Sequence, residues 1–363
     1  MSERNNLLVA ASGTGGHIFP ALAVSKKVEE DWNIHWLGVE ERLDSKFIPE
    51  KYNLLTLKIK TPKNNIFLVF QYLTILMSAF KIIGIMKAKK INLVFTTGGY
   101  ISAPTILAAK FLKIPVIIHE SNLVPGIVTK YFGFLCDFVF TGFKETSSYL
   151  KNSKTIFTGT PLREQFYKSN PLPSWVPKGD GPLLVVMGGS QGAKAINKIF
   201  YESFEFLVKE NFRIIHIVGD NNIKKHEIKN SQNYIQKKFT HEIAALMQNS
   251  DLVISRSGSG TINELIQTCK PSILIPYPNS KNNHQEKNAM LLSSIGGSII
   301  LQQNQVTKAF FEKTLKRIFK SQSQKGKYKY QILDIMKTNM ENNNIMQSKK
   351  EIKNLINYFL NEF

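Results

Sequence analysis

Two glycine-rich loops, one in each half of the chain, are the segments best suited to bind phosphate. The first reads Ser-Gly-Thr-Gly-Gly-His over residues 12–17, and the second reads Gly-Gly-Ser-Gln-Gly-Ala over residues 188–193. Each lies between a short apolar segment and a helical pattern. A helix N-terminus presents N–H groups and a positive dipole to an anion, and glycine lets a phosphate approach the backbone. Two such loops predict two nucleotide-binding α/β domains that face one cleft.

Further polar segments fall where predicted strands end. In one-letter code they are TTGGYISAP at 96–104, HESN at 119–122, SRSGSGTINE at 255–264 and HQEKNA at 284–289. The carboxyl ends of parallel strands meet at one edge of a sheet, which is where α/β proteins bind ligands. We therefore expect these segments to line the same sites as the two glycine loops.

Two other enzyme classes fit parts of this pattern. A dehydrogenase is favoured by Glu40, which lies at about the ~20-residue distance expected of a ribose-binding acid. The first loop, however, departs from G-x-G-x-x-G. A serine hydrolase is favoured by residues 188–192, which match G-x-S-x-G with Ser190 as nucleophile and His284 available later in the chain. Each alternative leaves one of the two glycine loops without a role.

The elements that position these segments follow from the apolar pattern. Short apolar strands alternate with helical patterns, which is typical of a parallel sheet covered by helices. The predicted strands are 7–11, 33–38, 54–59, 93–96, 115–119, 138–140, 183–187, 213–218, 252–255 and 272–275. The predicted helices include 20–24, 66–87, 103–111 and one that begins near Thr261.

Domain boundaries are predicted from composition. Segment 159–182 contains five prolines and three glycines, which indicates an interdomain linker. We predict a first domain over 1–162 and a second over 163–340. The final segment, 341–363, has apolar residues on one helical face and is predicted to pack back on the first domain.

Segment 64–80 contains no charged residue but is shorter than the ~20 apolar residues of a membrane-spanning helix. A helix packed on a sheet is the interpretation that the segment alone favours. The alternative is an apolar patch of Met77, Phe80 and Phe111 that enters a bilayer, with neighbouring lysines facing anionic headgroups.

Charge and cysteine content narrow the function less than the motifs do. The formal net charge of +20 suits nucleic acid, an anionic membrane or a phosphate-bearing substrate. The sequence contains no helix-turn-helix, zinc-finger or RNP signature, so we expect no nucleic-acid partner. The two cysteines have no metal-site spacing, which predicts a reducing compartment and no metal site. The N-terminal apolar run is shorter than a secretory signal requires.

Taken together, several segments resemble those of the MurG family of N-acetylglucosaminyltransferases. They cover nearly the whole chain in order: GTGGHIFPALAV, TTGGYISAP, HESN, GTPLR, GGSQGA, SRSGSGTINE and HQEKNA. The resemblance implies an α/β fold of GT-B architecture, with two Rossmann-like domains whose parallel sheets face an interdomain cleft. Ser121, Thr160 and Ser259 differ from residues common in the family, but none of these changes removes a chemical group assigned below.

The resemblance also implies a reaction and a location. The expected enzyme transfers GlcNAc from UDP-GlcNAc, with inversion, to the 4-hydroxyl of MurNAc in undecaprenyl-pyrophosphoryl-MurNAc-pentapeptide (lipid I), giving lipid II for peptidoglycan. It is expected to lie peripherally on the cytoplasmic face of the inner membrane, without a cofactor. Its expected partners are UDP-GlcNAc, the undecaprenyl-linked acceptor and an anionic membrane surface, with cell-wall and division proteins as further candidates. A lipid-linked acceptor makes Met77, Phe80 and Phe111 the expected membrane contact.

Matching motifs carry the family's site residues onto this chain. The donor is expected to contact Glu264 through ribose, Ser190 and Arg163 through pyrophosphate, Gln285 through the sugar, and the Thr240 backbone through uracil. Further donor contacts are expected from Thr14, Gly15, Gly16, Asn122, Ser259, Gly260 and Thr261. The acceptor is expected near Tyr100 and Ser102. His17 is the first candidate for the general base because histidine ordinarily titrates near neutrality, and Glu120 is the second; a positional role for His17 also stays open.

Three alternatives remain at this point. Within the same fold, the chain could be a diacylglycerol glycosyltransferase or a UDP-GlcNAc 2-epimerase. Outside enzymes, it could be a nucleotide-binding membrane module that transfers nothing.

Overall fold

The computed structural model describes most of the chain. The described residues are 4–40, 47–58, 68–189, 192–219, 232–320, 322–324 and 327–343. They form two compact units that meet in sequence between Arg163 and Glu164. Ser190, with its predicted role in pyrophosphate binding, lies outside the described residues. Nearly all of the predicted C-terminal helix, 341–363, also lies outside them.

The N-terminal unit is built on a seven-stranded sheet in which every pairing is parallel. The strand order is β3-β2-β1-β4-β5-β6-β7. The strands are β1 (Asn5–Ala10), β2 (Trp32–Val39), β3 (Asn53–Leu57), β4 (Ile91–Thr96), β5 (Val116–Glu120), β6 (Phe138–Thr141) and β7 (Thr155–Phe157). The helices are α1 (Gly15–Val28), α2 (Leu68–Ala88), α3 (Ser102–Phe111) and α4 (Ile127–Phe132), with 3-10 turns at Gly133–Leu135 and Lys144–Tyr149.

The C-terminal unit repeats this design on a six-stranded parallel sheet. Its order is β10-β9-β8-β11-β12-β13. The strands are β8 (Leu183–Met187), β9 (Arg213–Ile217), β10 (Tyr234–Lys237), β11 (Leu252–Ser255), β12 (Ser272–Leu274) and β13 (Ser298–Ile300). The helices are α5 (Lys194–Glu202), α6 (Phe204–Lys209), α7 (Ile243–Asn249), α8 (Ser259–Gln267), α9 (His284–Ser294), α10 (Lys308–Ile318) and α11 (Gln331–Asn342), with 3-10 turns at Glu164–Phe166 and Lys281–Asn283. A short antiparallel pair, β14 (Gln322–Gln324) and β15 (Lys327–Lys329), precedes α11.

Alternation along the strands explains why helices cover both faces of the first sheet. Leu7 and Val9 belong to an apolar cluster with residues of α1, whereas Leu8 and Ala10 belong to a second cluster with residues of α2 and α3. Strands buried on both faces read as continuous apolar runs, which is what the sequence shows. The predicted fold class, two Rossmann-like α/β domains with parallel sheets, is confirmed.

The segment predicted as an interdomain linker is an ordered part of the C-terminal unit from residue 164 onward. Asn170 donates from its backbone N–H to Gln248 Oε1 at 3.0 Å, and Asn249 Nδ2 donates to the Asn170 carbonyl at 2.9 Å. Arg213 Nε donates to the Gly181 carbonyl at 2.7 Å. Proline and glycine correctly indicated irregular backbone, but side-chain amides fasten it to α7 and the Arg213 guanidinium fastens it to β9. We call residues 164–182 the strap.

Candidate functional site

His17 joins the first glycine loop to the glycine turn after β4. Its Nδ1 lies 2.6 Å from the Thr97 carbonyl oxygen, and Thr97 Oγ1 donates to the His17 carbonyl at 2.9 Å. Because a carbonyl only accepts, Nδ1 carries the proton, and in the neutral ring Nε2 keeps its lone pair. Gly98 and Gly99 have φ of 88° and 82°, and a Cβ at Gly98 would lie 3.5 Å from the His17 ring.

Ser102, predicted near the acceptor, supports this turn from inside the protein. Its side chain is fully buried, its Oγ donates to the Gly98 carbonyl at 2.6 Å, and it lies 2.5 Å from Thr96 Oγ1. The hydroxyl therefore holds the turn rather than facing a ligand. Tyr100, in the same turn, is 39% exposed and remains the candidate for acceptor contact.

Glu120 closes the loop that follows β5. Its Oε1 accepts from the backbone N–H and the Nδ2 of Asn122 at 3.0 and 2.9 Å, and its Oε2 accepts from the Gly126 N–H at 2.9 Å. The side chain is only 4% exposed. With both oxygens receiving N–H bonds, Glu120 is placed to fix Asn122 and the start of α4. This geometry favours His17 over Glu120 as the base.

His119, next to Glu120, is also structural. It is fully buried, and its Nε2 lies 2.9 Å from the Gly159 carbonyl oxygen. Burial lowers the pKa of His119, so the ring is neutral at physiological pH.

Thr14 lies at the start of α1, and Arg163 packs against a residue of that helix. The Arg163 guanidinium lies 4.6 Å from the centre of the Phe19 ring, a cation–π contact that fixes its direction. Thr14 occupies the N-cap position of α1 with extended backbone, and its exposed side chain does not cap the helix. Gly15 and Gly16 form the first turn, so their N–H groups belong to the open end of the helix.

The second glycine loop requires its glycines for steric reasons. A Cβ at Gly188 would lie 2.1 Å from the Ala193 nitrogen, and one at Gly192 would lie 2.2 Å from the Val218 carbonyl oxygen. Gly189 and Gly192 have positive φ, 82° and 73°. These three glycines, where the chain leaves β8 and where it approaches α5, therefore either leave no room for a side chain or adopt backbone that favours glycine.

The third loop leads from β11 into α8. Gly258 is its N-cap, followed by Ser259, Gly260 and Thr261 in the first helical turn. Cβ atoms added at Gly258 or Gly260 would meet nothing within 4 Å, so the space beside this helix end is open. Glu264, one turn further, is 8% exposed.

Gln285 ties α9 to this third loop. Its Oε1 accepts from the Tyr277 N–H at 3.0 Å, and its carbonyl accepts from Ser257 Oγ at 2.7 Å. Asn288 Nδ2 donates to the Ser257 carbonyl at 3.2 Å. The structure thus brings Gln285 together with the loop that leads into α8, the helix that carries Glu264.

Thr240 lies in the loop between β10 and α7. Its Oγ1 accepts from the Glu242 N–H at 3.1 Å, which is a local turn within that loop.

Three supporting residues were missed by sequence reasoning. Arg256 donates to the carbonyls of Ile275 and Pro276, His216 lies 2.9 Å from Asn197 Oδ1, and Trp175 donates to Glu242, which follows the Thr240 loop. Only tertiary contacts distinguish them from ordinary polar and aromatic residues.

The predicted membrane residues lie on adjacent helices of the N-terminal unit. Met77 and Phe80 on α2 are 64% and 72% exposed, and Phe111 at the end of α3 is 72% exposed. The helices α2 and α3 pack against each other. Further exposed apolar side chains in this unit are Leu73, Leu76, Ile127, Tyr131 and Phe134. Within the described ranges, no helix is long and apolar enough to cross a membrane.

In the part of the chain that the structure describes, no three His, Cys, Asp or Glu side chains form a group suited to a metal ion.

Comparison with known proteins identifies the family. Residues 7–141 match the model of the glycosyltransferase family 28 N-terminal domain, and residues 183–354 match that of the C-terminal domain. A Prochlorococcus marinus (strain AS9601) protein is 73% identical over 363 residues, covering all of both chains. Its name is "UDP-N-acetylglucosamine--N-acetylmuramyl-(pentapeptide) pyrophosphoryl-undecaprenol N-acetylglucosamine transferase". The chain belongs to the MurG family of glycosyltransferases.

Two further similarities agree with this family. A protein of the same name from Prochlorococcus marinus subsp. pastoris is 74% identical over 361 residues, covering 99% of each chain. The crystal structure of Acinetobacter baumannii MurG is similar with a TM-score of 0.70 and 24% identity, covering 97% of this chain and 100% of that one. At that identity the structural likeness supports the fold alone.

Proposed function

We propose that this protein transfers GlcNAc from UDP-GlcNAc to the 4-hydroxyl of MurNAc in undecaprenyl-pyrophosphoryl-MurNAc-pentapeptide, with inversion, to make lipid II. The observation that carries the proposal is identity of 73% along the whole length of a relative named for this transfer. The glycine loops of both units are retained in that family's order and follow strand ends as nucleotide-sugar chemistry requires.

The C-terminal unit takes the donor in this proposal. Glu264, on α8 one turn beyond Gly260, accepts hydrogen bonds from the ribose hydroxyls. The N–H groups of the second glycine loop and the first turn of α8 hold the diphosphate, and Gln285 contacts the sugar. Open space beside Gly258 and Gly260 supports this placement.

The N-terminal unit takes the acceptor and removes its proton. The acceptor oxygen forms a bond to the anomeric carbon while the bond from that carbon to the UDP oxygen breaks. The proton of the acceptor hydroxyl passes to His17 Nε2, the nitrogen left unprotonated by the Nδ1 bond to Thr97. Tyr100 contacts the acceptor, and Arg163 stabilises the departing diphosphate.

The reaction is proposed to need no metal ion. The leaving group gains one negative charge, which helix N-termini and a guanidinium can stabilise by themselves. Chelation by EDTA is therefore expected to leave the rate unchanged.

The exposed apolar face of α2 and α3 is proposed to contact the membrane that holds the acceptor. Phe80 and Phe111 are among its most exposed members, and the exposed lysines Lys81, Lys110 and Lys113 lie on or just after the same helices. Apolar groups flanked by lysines suit an interface with anionic headgroups.

Release of UDP from UDP-GlcNAc tests the reaction. Purified protein is compared with and without a lipid I analogue, beside a Glu264→Ala variant. We expect release that depends on acceptor and a variant weakened mainly through a higher KM for the donor. UDP-GlcNAc consumption without acceptor would instead indicate an epimerase, and tight binding without turnover would indicate a binding module.

A further inference from the structure

Trp175 of the strap spans the loop that carries Thr240. The ring of Trp175 lies 3.3 Å, centre to nitrogen, from Lys237 Nζ, and its Nε1 donates to Glu242 Oε2 at 2.6 Å. Lys237 is the last residue of β10, and Glu242 is the residue before α7. One indole therefore holds both ends of the four-residue loop 238–241.

The loop also has an internal arrangement that depends on where its ends lie. The Glu242 N–H donates to Thr240 Oγ1, and the Phe239 and His241 rings meet edge to face with centres 4.9 Å apart. Because the loop is short, a shift of either end would reorient the Thr240 backbone.

Contacts between the strap and the rest of the C-terminal unit hold Trp175 in a fixed position. Val176, the next residue, is 5% exposed, and Arg213 Nη1 donates to the Pro177 carbonyl at 3.3 Å. On the other side, Gln248 Nε2 donates to the Lys168 carbonyl at 2.8 Å. Trp175 is thus held by the body of the C-terminal unit rather than by the loop that it contacts.

We propose that Trp175 is a positioning residue that sets selectivity for the donor's base. The resemblance to the MurG family implies that the Thr240 backbone contacts uracil, and Trp175 holds the ends of this loop so that an N–H and a carbonyl can pair with the edge of the base. Uracil presents an N–H donor beside a carbonyl acceptor, whereas cytosine presents an acceptor beside an amino donor, so a fixed backbone pair distinguishes them. The inference rests on the proposed function because it takes the donor to be a uridine nucleotide.

The interactions made by Trp175 set the size of the expected effect. A cation–π contact and a hydrogen bond to a carboxylate each contribute modestly at a partly exposed site. Together their loss should weaken UDP binding about 5- to 30-fold, because the loop must then be ordered when the ligand binds.

The test is calorimetric binding of UDP and of CDP to the full chain and its variants. Trp175→Ala is expected to lose UDP affinity while CDP affinity changes little, so that the UDP/CDP ratio falls. Trp175→Phe keeps a ring for Lys237 but loses the N–H donor, and it should give an intermediate ratio. Phe310→Ala, an exposed aromatic on α10, is the matched control and should leave the ratio unchanged. An unchanged ratio in Trp175→Ala, or equal losses for both nucleotides, would overturn the proposal.

Two further variants keep the inference testable if Trp175→Ala folds poorly. Together with UDP binding by the parent, they distinguish failure of this inference from failure of the proposed function. Glu242→Ala and Lys237→Met each remove one contact without changing the strap, and each should lower the UDP/CDP ratio. Trp175 is the only tryptophan after residue 36, so a UDP-dependent change in its fluorescence should disappear in Trp175→Phe. If the parent binds no UDP, the proposed function fails; if it binds UDP with a ratio insensitive to these variants, only the role of Trp175 fails.

Discussion

His17 and Glu120 follow different strands of one sheet, and their hydrogen bonds give them different chemical capacities. The Nδ1 of His17 is engaged by the Thr97 carbonyl, so the neutral ring retains an acceptor at Nε2. Both carboxylate oxygens of Glu120 accept hydrogen bonds from N–H groups of the loop that carries Asn122. A base needs an accessible lone pair, which favours His17 for proton removal and Glu120 for holding the loop.

The effects on kcat and on kcat/KM distinguish these roles. Glu120→Gln places an amide NH2 against N–H donors, and we expect kcat/KM for the acceptor to fall about tenfold or more. His17→Gln removes the proton acceptor and should lower kcat by about 10²–10⁴, more than Glu120→Gln does. A larger loss of kcat in Glu120→Gln than in His17→Gln would reverse the assignment.

Two glycines of the C-terminal unit are expected to respond oppositely to alanine. At Gly192 a Cβ would meet the Val218 carbonyl at 2.2 Å in a positive-φ conformation, so Gly192→Ala should lower the melting temperature by several degrees. At Gly260 a Cβ meets nothing, so Gly260→Ala should fold as stably as the parent or slightly better. If the donor occupies that space, Gly260→Ala should also lose UDP-GlcNAc affinity. Full affinity in a stable Gly260→Ala variant would place the donor elsewhere.

At the scale of elements, a buried polar chain joins β9, β10 and α5 behind the second glycine loop. Asn197 Nδ2 donates to the Val218 carbonyl at 3.2 Å, His216 Nε2 lies 2.9 Å from Asn197 Oδ1, and the Tyr234 hydroxyl lies 3.2 Å from His216 Nδ1. Burial lowers the pKa of His216 to about 3. The ring is therefore neutral in the folded protein. Because the Val218 carbonyl only accepts, Asn197 donates to it through Nδ2 and turns its Oδ1 towards His216, so His216 Nε2 carries the proton.

Acid should destabilise the C-terminal unit through this histidine. Unfolded histidine binds a proton below about pH 6.5 and folded His216 does not, so folding stability falls as pH drops from about 6.5 towards about 3. The loss is on the order of 2–3 kcal/mol by about pH 4.5. His216→Gln keeps an N–H for Asn197 without titrating, so its melting temperature should depend less on pH over this range. Tyr201→Phe is the control, and equal slopes for His216→Gln and the parent would exclude the mechanism.

The apolar face of α2 and α3 has its own test with anionic vesicles. A Phe80→Ser, Phe111→Ser variant removes two side chains that are each 72% exposed, so the fold should be little affected. Burial of a phenylalanine contributes about 1.5–3 kcal/mol, and we expect vesicle binding to weaken at least about tenfold. Phe310→Ser, which removes a half-exposed phenylalanine from α10, should bind as the parent does. Equal binding by all three proteins would remove this face from the membrane proposal.

The sequence predicted the central strands and the glycine loops well because each can be recognised from a short stretch of neighbouring residues. Long buried strands such as Leu7–Ala10 and Leu183–Met187 are continuous apolar runs, and glycine loops after them are visible as composition. Strands β7, β10 and β13 were missed because each has only three or four residues and most of these are partly exposed. The division between the two units falls inside the predicted linker 159–182. The hydrogen bonds that fasten the strap to the C-terminal unit were not predicted, because proline marks irregular backbone but not which distant side chains bind it. The anchoring roles of Glu120 and Ser102 likewise depend on partners that only the fold brings close.

At the scale of the whole molecule, each unit has its own sheet and its own apolar core. The N-terminal sheet lies between two clusters that include Trp36 and Met86, and the C-terminal core includes Phe200 and Phe311. Because each core is built from residues of one unit, we predict that each unit can unfold separately. The net charge of +20 is a property of the entire chain and does not select between the units as binding sites.

Hydrogen exchange with UDP tests this independence together with the placement of the donor. A ligand present at 100 times its Kd stabilises the unit that binds it by about 2.7 kcal/mol, or about 100-fold in opening equilibrium. Amides of β8 and β11 that exchange by unfolding should therefore slow about 100-fold, while those of β1 and β4 exchange at their original rates. UDP lacks the sugar, so UDP-GlcNAc should extend the protection to residues 13–16 if Thr14 and Gly16 contact the donor sugar. Equal slowing of both sheets by UDP would mean that the two units unfold together, and slowing of β1 and β4 alone would assign the nucleotide to the N-terminal unit.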